Sequence, residues 1–129
     1  MDQPSAPSTL LVVEDEALVR MVAVDALADS GLRSFEAGDA AEALRLLDEH
    51  PEISLVFTDI DMPGHMDGLQ LVRRVHDERP RMELIVTSGH QRVLDRDLPD
   101  HGTFLCKPYR TAQLIALVRQ KLRHAPLAT

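Results

Sequence analysis

Short apolar runs that do not alternate with polar residues place the tightest constraint on this chain. Thr9–Val13 (TLLVV) and Leu55–Thr58 (LVFT) are continuous, and Glu83–Ser88 (ELIVTS) is nearly so. A strand with one wet face alternates, whereas a strand covered on both faces reads as an unbroken run, as in parallel sheets. A short, mostly polar strand candidate at Arg33–Glu36 and a short run at Thr103–Cys106 bring the strands to five, with helical spacing in most of the segments between them. This alternation predicts an α/β domain, a five-stranded parallel sheet with helices on both faces joined by right-handed crossovers. The expected strand order is the flavodoxin-like 2-1-3-4-5 of a (βα)5 domain, with its switch point between the first and third strands.

Local signals place the helices. Ala17 to about Ser30 is the first, closed by Gly31. Asp39 with Glu42 predicts a capping box for a second helix reaching about His50, where Pro51 stops it. The third strand is read as Leu55–Asp59, followed by a Pro63-Gly64 turn. Leu69, Leu71, Val72 and Val75 set a helix over 68–78, and Leu114, Leu117, Val118 and Leu122 set the last one over 111–123. The segment Gln91–His101 is polar, contains Pro99, and supports at most a short helix. With few apolar anchors, chiefly Val93 and Leu98, the stretch to Gly102 is expected to be mobile. Residues 1–8 read as a flexible leader, 9–123 as one domain and 124–129 as a frayed tail.

The strand ends carry the chemistry. Strand one stops at Glu14-Asp15 and strand three at Asp59, so the switch point gathers three carboxylates. Crowded carboxylates raise one another's pKa unless a cation intervenes, and a hard divalent ion such as Mg²⁺ suits an all-oxygen site. Asp15 and Asp59 would be direct ligands, with Glu14 acting through water. Lys107 ends strand five and could balance the charge of an arriving phosphoryl group. Composition narrows the alternatives. A net charge of −7 argues against a nucleic-acid surface, and a single cysteine, Cys106, excludes an internal disulfide framework. No apolar run approaches the ~20 residues of a membrane span, so no membrane role is expected and the cytoplasm is the default location.

Asp59, Met62, Pro63, Gly64, Asp67 and Gly68, with Glu14-Asp15 before them and Lys107-Pro108-Tyr109 after them, resemble the receiver domain of two-component response regulators. The resemblance runs over about residues 9 to 123. It implies that Asp59 accepts a phosphoryl group from a histidine kinase or phosphotransfer protein. It adds the backbone carbonyl of Asp61 to the Mg²⁺ ligands and a cis bond before Pro108. It also implies a strand-four hydroxyl that bonds the phosphoryl group: Ser88, directly before Gly89, with Thr87 as the alternative. Phe104 matches the family's switch aromatic, or is a plain core residue. Phosphorylation is expected to order the segment after strand four and to switch a protein-binding surface toward an unnamed downstream partner.

The chain departs from the family pattern at His65, an additional loop residue, and in Gln91–His101, which is short and rich in helix breakers. On the first helix, Arg20, Ala23, Val24 and Leu27 form the row suited to the sheet. A second apolar row, Leu18, Val19, Val22 and Ala26, suits docking of a kinase or phosphotransfer helix; completing the core or a homodimer are the alternatives. A monomer or weak dimer is expected. The rival activity is a Mg²⁺-dependent aspartyl phosphohydrolase with Asp61 as general acid. The opening Met1 reads as a complete chain, the alternative being a receiver cut from a longer regulator.

Overall fold

The structure, a computed structural model, describes residues 8–124. The expected leader therefore lies outside the described residues except for Ser8, and so does the expected tail from residue 125 onward. The elements run β1 (Thr9–Val13), α1 (Ala17–Asp29), β2 (Arg33–Ala37), α2 (Ala40–Glu49), β3 (Ile53–Asp59), α3 (Gly68–Glu78), β4 (Glu83–Ser88), β5 (Gly102–Cys106) and α4 (Thr111–His124). All four strand pairings are parallel, in the order β2-β1-β3-β4-β5.

Each buried strand sends alternate side chains to opposite layers. Leu10, Val12, Leu55, Phe57 and Ile85 pack with Ala23 and Leu27 of α1 and Leu114 and Val118 of α4. Leu11, Val13, Val56, Leu84 and Val86 pack with α2 and α3 through Ala43, Leu47, Leu71, Val72 and Val75. This two-sided burial is the physical reason for the unbroken apolar runs. The α1 helix ends as its Gly31 predicts. Gly31 has φ +81°, its N–H reaches the Ala28 carbonyl at 2.9 Å, and Leu32 N–H reaches the Leu27 carbonyl at 2.9 Å.

Between β4 and β5 there is no α-helix, only a single 3-10 turn at Asp95–Asp97. The segment is nonetheless tied down. Leu98 is buried, Asp95 Oδ1 accepts the Phe104 N–H at 2.8 Å, and Gln91 Nε2 donates to Asp61 Oδ1 at 3.0 Å. Polar anchors add to the sparse apolar ones read from the sequence. Below the sheet, the buried Glu83 carboxylate faces Lys121 of α4 at 3.4 Å, and Lys121 also donates to the His101 carbonyl at 2.7 Å. That pair ties α4 to the start of β4.

Candidate functional site

The face alternation decides which side chains emerge together at the C-terminal edge of the sheet. Glu14 continues the Leu10, Val12 series, Asp59 continues Leu55, Phe57, and Lys107 continues Leu105, all on the α1/α4 side. Pairing persists just past the strands, with Glu14 N–H on the Ala37 carbonyl (3.0 Å) and Lys107 N–H on the Ser88 carbonyl (3.1 Å). Gly68 is packed against the Asp59 carbonyl, and its N–H donates to the Ile60 carbonyl at 3.0 Å. The chain around Asp59 is thereby fixed from both sides.

Lys107 Nζ donates to Asp59 Oδ2 at 3.0 Å and to Glu14 Oε1 at 3.3 Å. Asp59 Oδ1 accepts the Asp61 N–H at 3.1 Å, and Glu14 Oε2 accepts the Glu16 N–H at 3.1 Å. Glu14 and Asp59 are 5% and 6% exposed, whereas Asp15 is exposed. Burial pushes the Glu14 carboxyl up to about 7; the charge of Asp59 adds to this, and the Glu16 N–H and Lys107 oppose it. Burial works to lower the Lys107 pKa, but the hydrogen bond to Asp59 and the charges of Glu14 and Asp59 hold it above the ordinary value. The Lys107–Pro108 bond is cis.

One ammonium thus serves two buried carboxylates, with a third carboxylate at the rim. Oxygens of Glu14, Asp15 and Asp59 all lie within 4.8 Å of one another. An all-oxygen, net-negative cluster fits a hard divalent cation, which keeps several waters of its own. The cluster opens into a cleft of about 630 Å³ whose wall includes Val19, Val22, Asp61 and Tyr109. A groove of about 670 Å³ at the other end of the sheet, under Leu47, Arg79 and Met82, gathers no such cluster.

The two candidate hydroxyls part company. Thr87 shares the face of Asp59, which it pairs with in register, and its Oγ1 donates to the Leu105 carbonyl at 2.6 Å. Ser88 continues Leu84 and Val86 on the α2/α3 side, and its Oγ donates to Asp61 Oδ2 at 2.6 Å. That bond holds the Asp61 carboxyl below its ordinary pKa. Phe104 lies beside Val86 in register and is half-buried against the α2/α3 core. On α1, Leu18 and Val22 are 76% and 59% exposed, Met21 joins them at 52%, and Val19 and Ala26 are half-buried. Leu18 and Val22 therefore lie outside the core, while Val19 and Ala26 are partly covered. Ala23 and Leu27 are buried against the sheet as expected, whereas Arg20 on the same row meets the sheet at its polar edge. Its guanidinium donates to the Glu14 carbonyl (2.6 Å) and to Glu36 (3.1 Å), because a charged head at the sheet edge takes polar partners instead of the apolar layer.

The sequence profile of the "Response regulator receiver domain" matches residues 10–119. The chain belongs to the response regulator receiver family. It is 37% identical over 122 residues to the sensor kinase CckA of Brucella abortus, covering 92% of this chain and 13% of that protein. It is 32% identical over 116 residues to the response regulator receiver protein CpdR of the same species, covering 88% and 95%. The crystal structure of a response regulator receiver protein from Sinorhizobium medicae superposes with a TM-score of 0.84 at 30% identity, covering 93% of this chain and 98% of that one. The relatives range from receiver-sized proteins to much longer ones of which this chain spans only a part.

The receiver geometry bears on the phosphohydrolase alternative. A general acid at Asp61 needs a proton to give, yet its carboxylate accepts from both Ser88 and Gln91 and is held below the usual carboxylate range. Sequence reasoning missed the reach of Gln91 to Asp61, the bond between Ser88 and the Asp61 carboxylate, and Tyr109 as part of the wall. The first two depend on contacts across 30 and 27 residues, which no local pattern encodes. Tyr109 was legible only as part of the Lys-Pro-Tyr motif; it packs edge-on to Phe57 at 5.9 Å, and burial raises its phenol pKa.

Proposed function

We propose that this receiver accepts a phosphoryl group on Asp59 from a histidine kinase or phosphotransfer protein and so switches a protein-binding surface. The observation that carries the reading is the Lys107–Asp59–Glu14 arrangement, in which a buried carboxylate meets an ammonium at 3.0 Å beside two further acids. Asp59 attacks the donor's phosphorus, so that a P–O bond forms as the P–N bond to the donor imidazole breaks. The bonding pair returns to that ring nitrogen. Lys107 stays within reach of the incoming phosphoryl oxygens and offsets their charge. Ser88, or Thr87 in its place, supplies a hydroxyl donor.

Glu14, Asp15, Asp59 and the backbone carbonyl of Asp61 suit Mg²⁺, which when bound screens charge between nucleophile and phosphoryl group. Phe104, on the same sheet face as Ser88, is the aromatic that would respond when Ser88 moves. The row Leu18, Val19, Val22 and Ala26, in which Leu18 and Val22 are exposed and Val19 and Val22 line the cleft, suits the donor's helices. We place the receiver in the cytoplasm, as a monomer or weak dimer, acting on a downstream protein and not on DNA or a membrane. No helix among the described residues is long and apolar enough to cross a membrane.

The test is labelling by acetyl phosphate and by a phosphorylated kinase, each with Mg²⁺. Wild type should label, whereas Asp59→Asn should fold and remain unlabelled. Stable label on another carboxylate of Asp59→Asn would overturn the assignment.

A further inference from the structure

The Ser88 hydroxyl has no free valence. Its one proton goes to Asp61 Oδ2 at 2.6 Å, and its oxygen accepts the backbone N–H groups of His90 and Gln91, each at 3.0 Å. A hydroxyl has one donor and two acceptor sites, so the set is complete. The other oxygen of Asp61 accepts Gln91 Nε2 at 3.0 Å, and the Asp61 N–H touches Asp59 Oδ1 at 3.1 Å. Asp61 therefore reaches the nucleophile through its backbone. Through its carboxylate it reaches both the hydroxyl and the first residues of the segment between β4 and β5.

We propose that Asp61 is a positioning residue acting through Ser88: its carboxylate latches the Ser88 proton and the Gln91 side chain in the unphosphorylated protein. The latch must open before Ser88 can serve a phosphoryl group on Asp59. This rests on the phosphoacceptor reading and adds a gate to it. A phosphoryl group on Asp59 brings negative charge next to Asp61 and competes for the same hydroxyl donor. When Ser88 turns to the phosphoryl group, His90 and Gln91 lose their acceptor and Asp61 loses a donor. The start of the segment then loosens, the reverse of the ordering expected from composition alone. Exposed Leu94 lies three residues beyond Gln91 and would move with it.

The latch predicts a non-additive pair. Asp61→Ala should speed labelling by acetyl phosphate about tenfold, the size of one charge-assisted hydrogen bond, because Ser88 is already free. In a Ser88→Ala background the same change should matter by less than about twofold, as coupled partners require. Amide exchange of the unphosphorylated protein supplies a readout independent of chemistry. The His90 and Gln91 amides should exchange faster in Asp61→Ala, and Asp61→Asn, which keeps an acceptor, should restore part of the protection. Gln91→Ala, a change at an exposed side chain, should loosen the segment without freeing Ser88 and so leave labelling closer to wild type. Equal effects of Asp61→Ala with and without Ser88 would overturn the latch, as would unchanged His90 and Gln91 exchange. Failure of wild type to label would instead overturn the phosphoacceptor reading, and the exchange comparison would still test the latch because it needs no phosphate.

Discussion

Gly68→Ala separates helix propensity from packing at the site. Gly68 opens α3, and its first turn is pinned by a full capping box: Gln70 N–H on Asp67 Oδ1 and Asp67 N–H on Gln70 Oε1, both at 2.9 Å. Propensity alone gives alanine an advantage of about 1 kcal/mol over glycine. A Cβ there would collide with the Asp59 carbonyl oxygen and lie 2.8 Å from both the Asp59 carbonyl carbon and the Ile60 Cα. All three obstacles are backbone, so none can rotate aside. Overpacking of this kind costs about 1–3 kcal/mol and sometimes more, and a backbone obstacle puts it at or above the upper end. The net expectation is a loss of about 2 kcal/mol, read as a Tm lower by roughly 10 °C for a domain of this size. Urea unfolding should show a lower midpoint with the same slope. Two controls isolate the cause. A Cβ at Gly38 meets nothing closer than an Arg20 side-chain atom at 3.7 Å, so Gly38→Ala should be near neutral. Gly64 has φ +104° with open space around it, so Gly64→Ala should cost only the left-handed backbone penalty of about 1 kcal/mol. Gly68→Ala matching wild type or exceeding it would refute the close approach of α3 to Asp59.

Two further expectations concern charge and partner. With the Glu14 carboxyl raised to about 7 from 4.5 by burial first, the folded state holds that proton more tightly than the unfolded chain. The resulting stabilisation is full below the unfolded value and fades as pH rises through about 7, an upper bound of about 3 kcal/mol. Metal-free wild type should therefore lose more Tm than Glu14→Gln between pH 5 and 8, on the order of several degrees, and parallel curves would refute the shift. Val22→Glu should keep the fold and acetyl-phosphate labelling, since Val22 is 59% exposed, while transfer from the kinase falls at least about tenfold, ~1.4 kcal/mol. Equal loss of both activities would assign Val22 to the chemistry instead of to docking.

The three central strands were legible because burial on both faces imprints the sequence with unbroken apolar runs, and the helices because one-sided burial imprints a period; the edge strands β2 and β5, only partly buried, carry a weaker imprint. Boundaries slipped where those imprints fade. β3 begins at Ile53, two residues before the run read as a strand, because the β1 pairing shifts register between Thr9 and Leu10 and so admits Ile53 opposite Thr9. The Asp39 cap formed as read, with Glu42 N–H on Asp39 Oδ1 at 2.8 Å. The return bond did not: Glu42 Oε1 takes the Gly38 N–H, one residue earlier than a capping box requires. The complete box lies at Asp67 and Gln70, which the Asp-Gly turn signal masked.

The choice between Ser88 and Thr87 shows why a site is harder to read than its sheet. Period-two alternation gives the face of each strand residue, and it gives Thr87 the face of Asp59. Alternation stops carrying information once the strand ends, where loop backbone re-aims each group. Ser88 is the last residue of β4, and its hydroxyl is turned by two loop N–H groups and by Asp61, which itself sits in the loop after β3. Without an α-helix between β4 and β5, Phe104 stays half-buried and its N–H is taken by Asp95 of the 3-10 turn. A change at Asp61 can therefore reach the surface along a short polar path through Ser88 and Gln91, and no helix needs to shift. The surface that answers phosphorylation would then be this segment and the edge strand beside it, which is why the amides of His90 and Gln91 are the place to look.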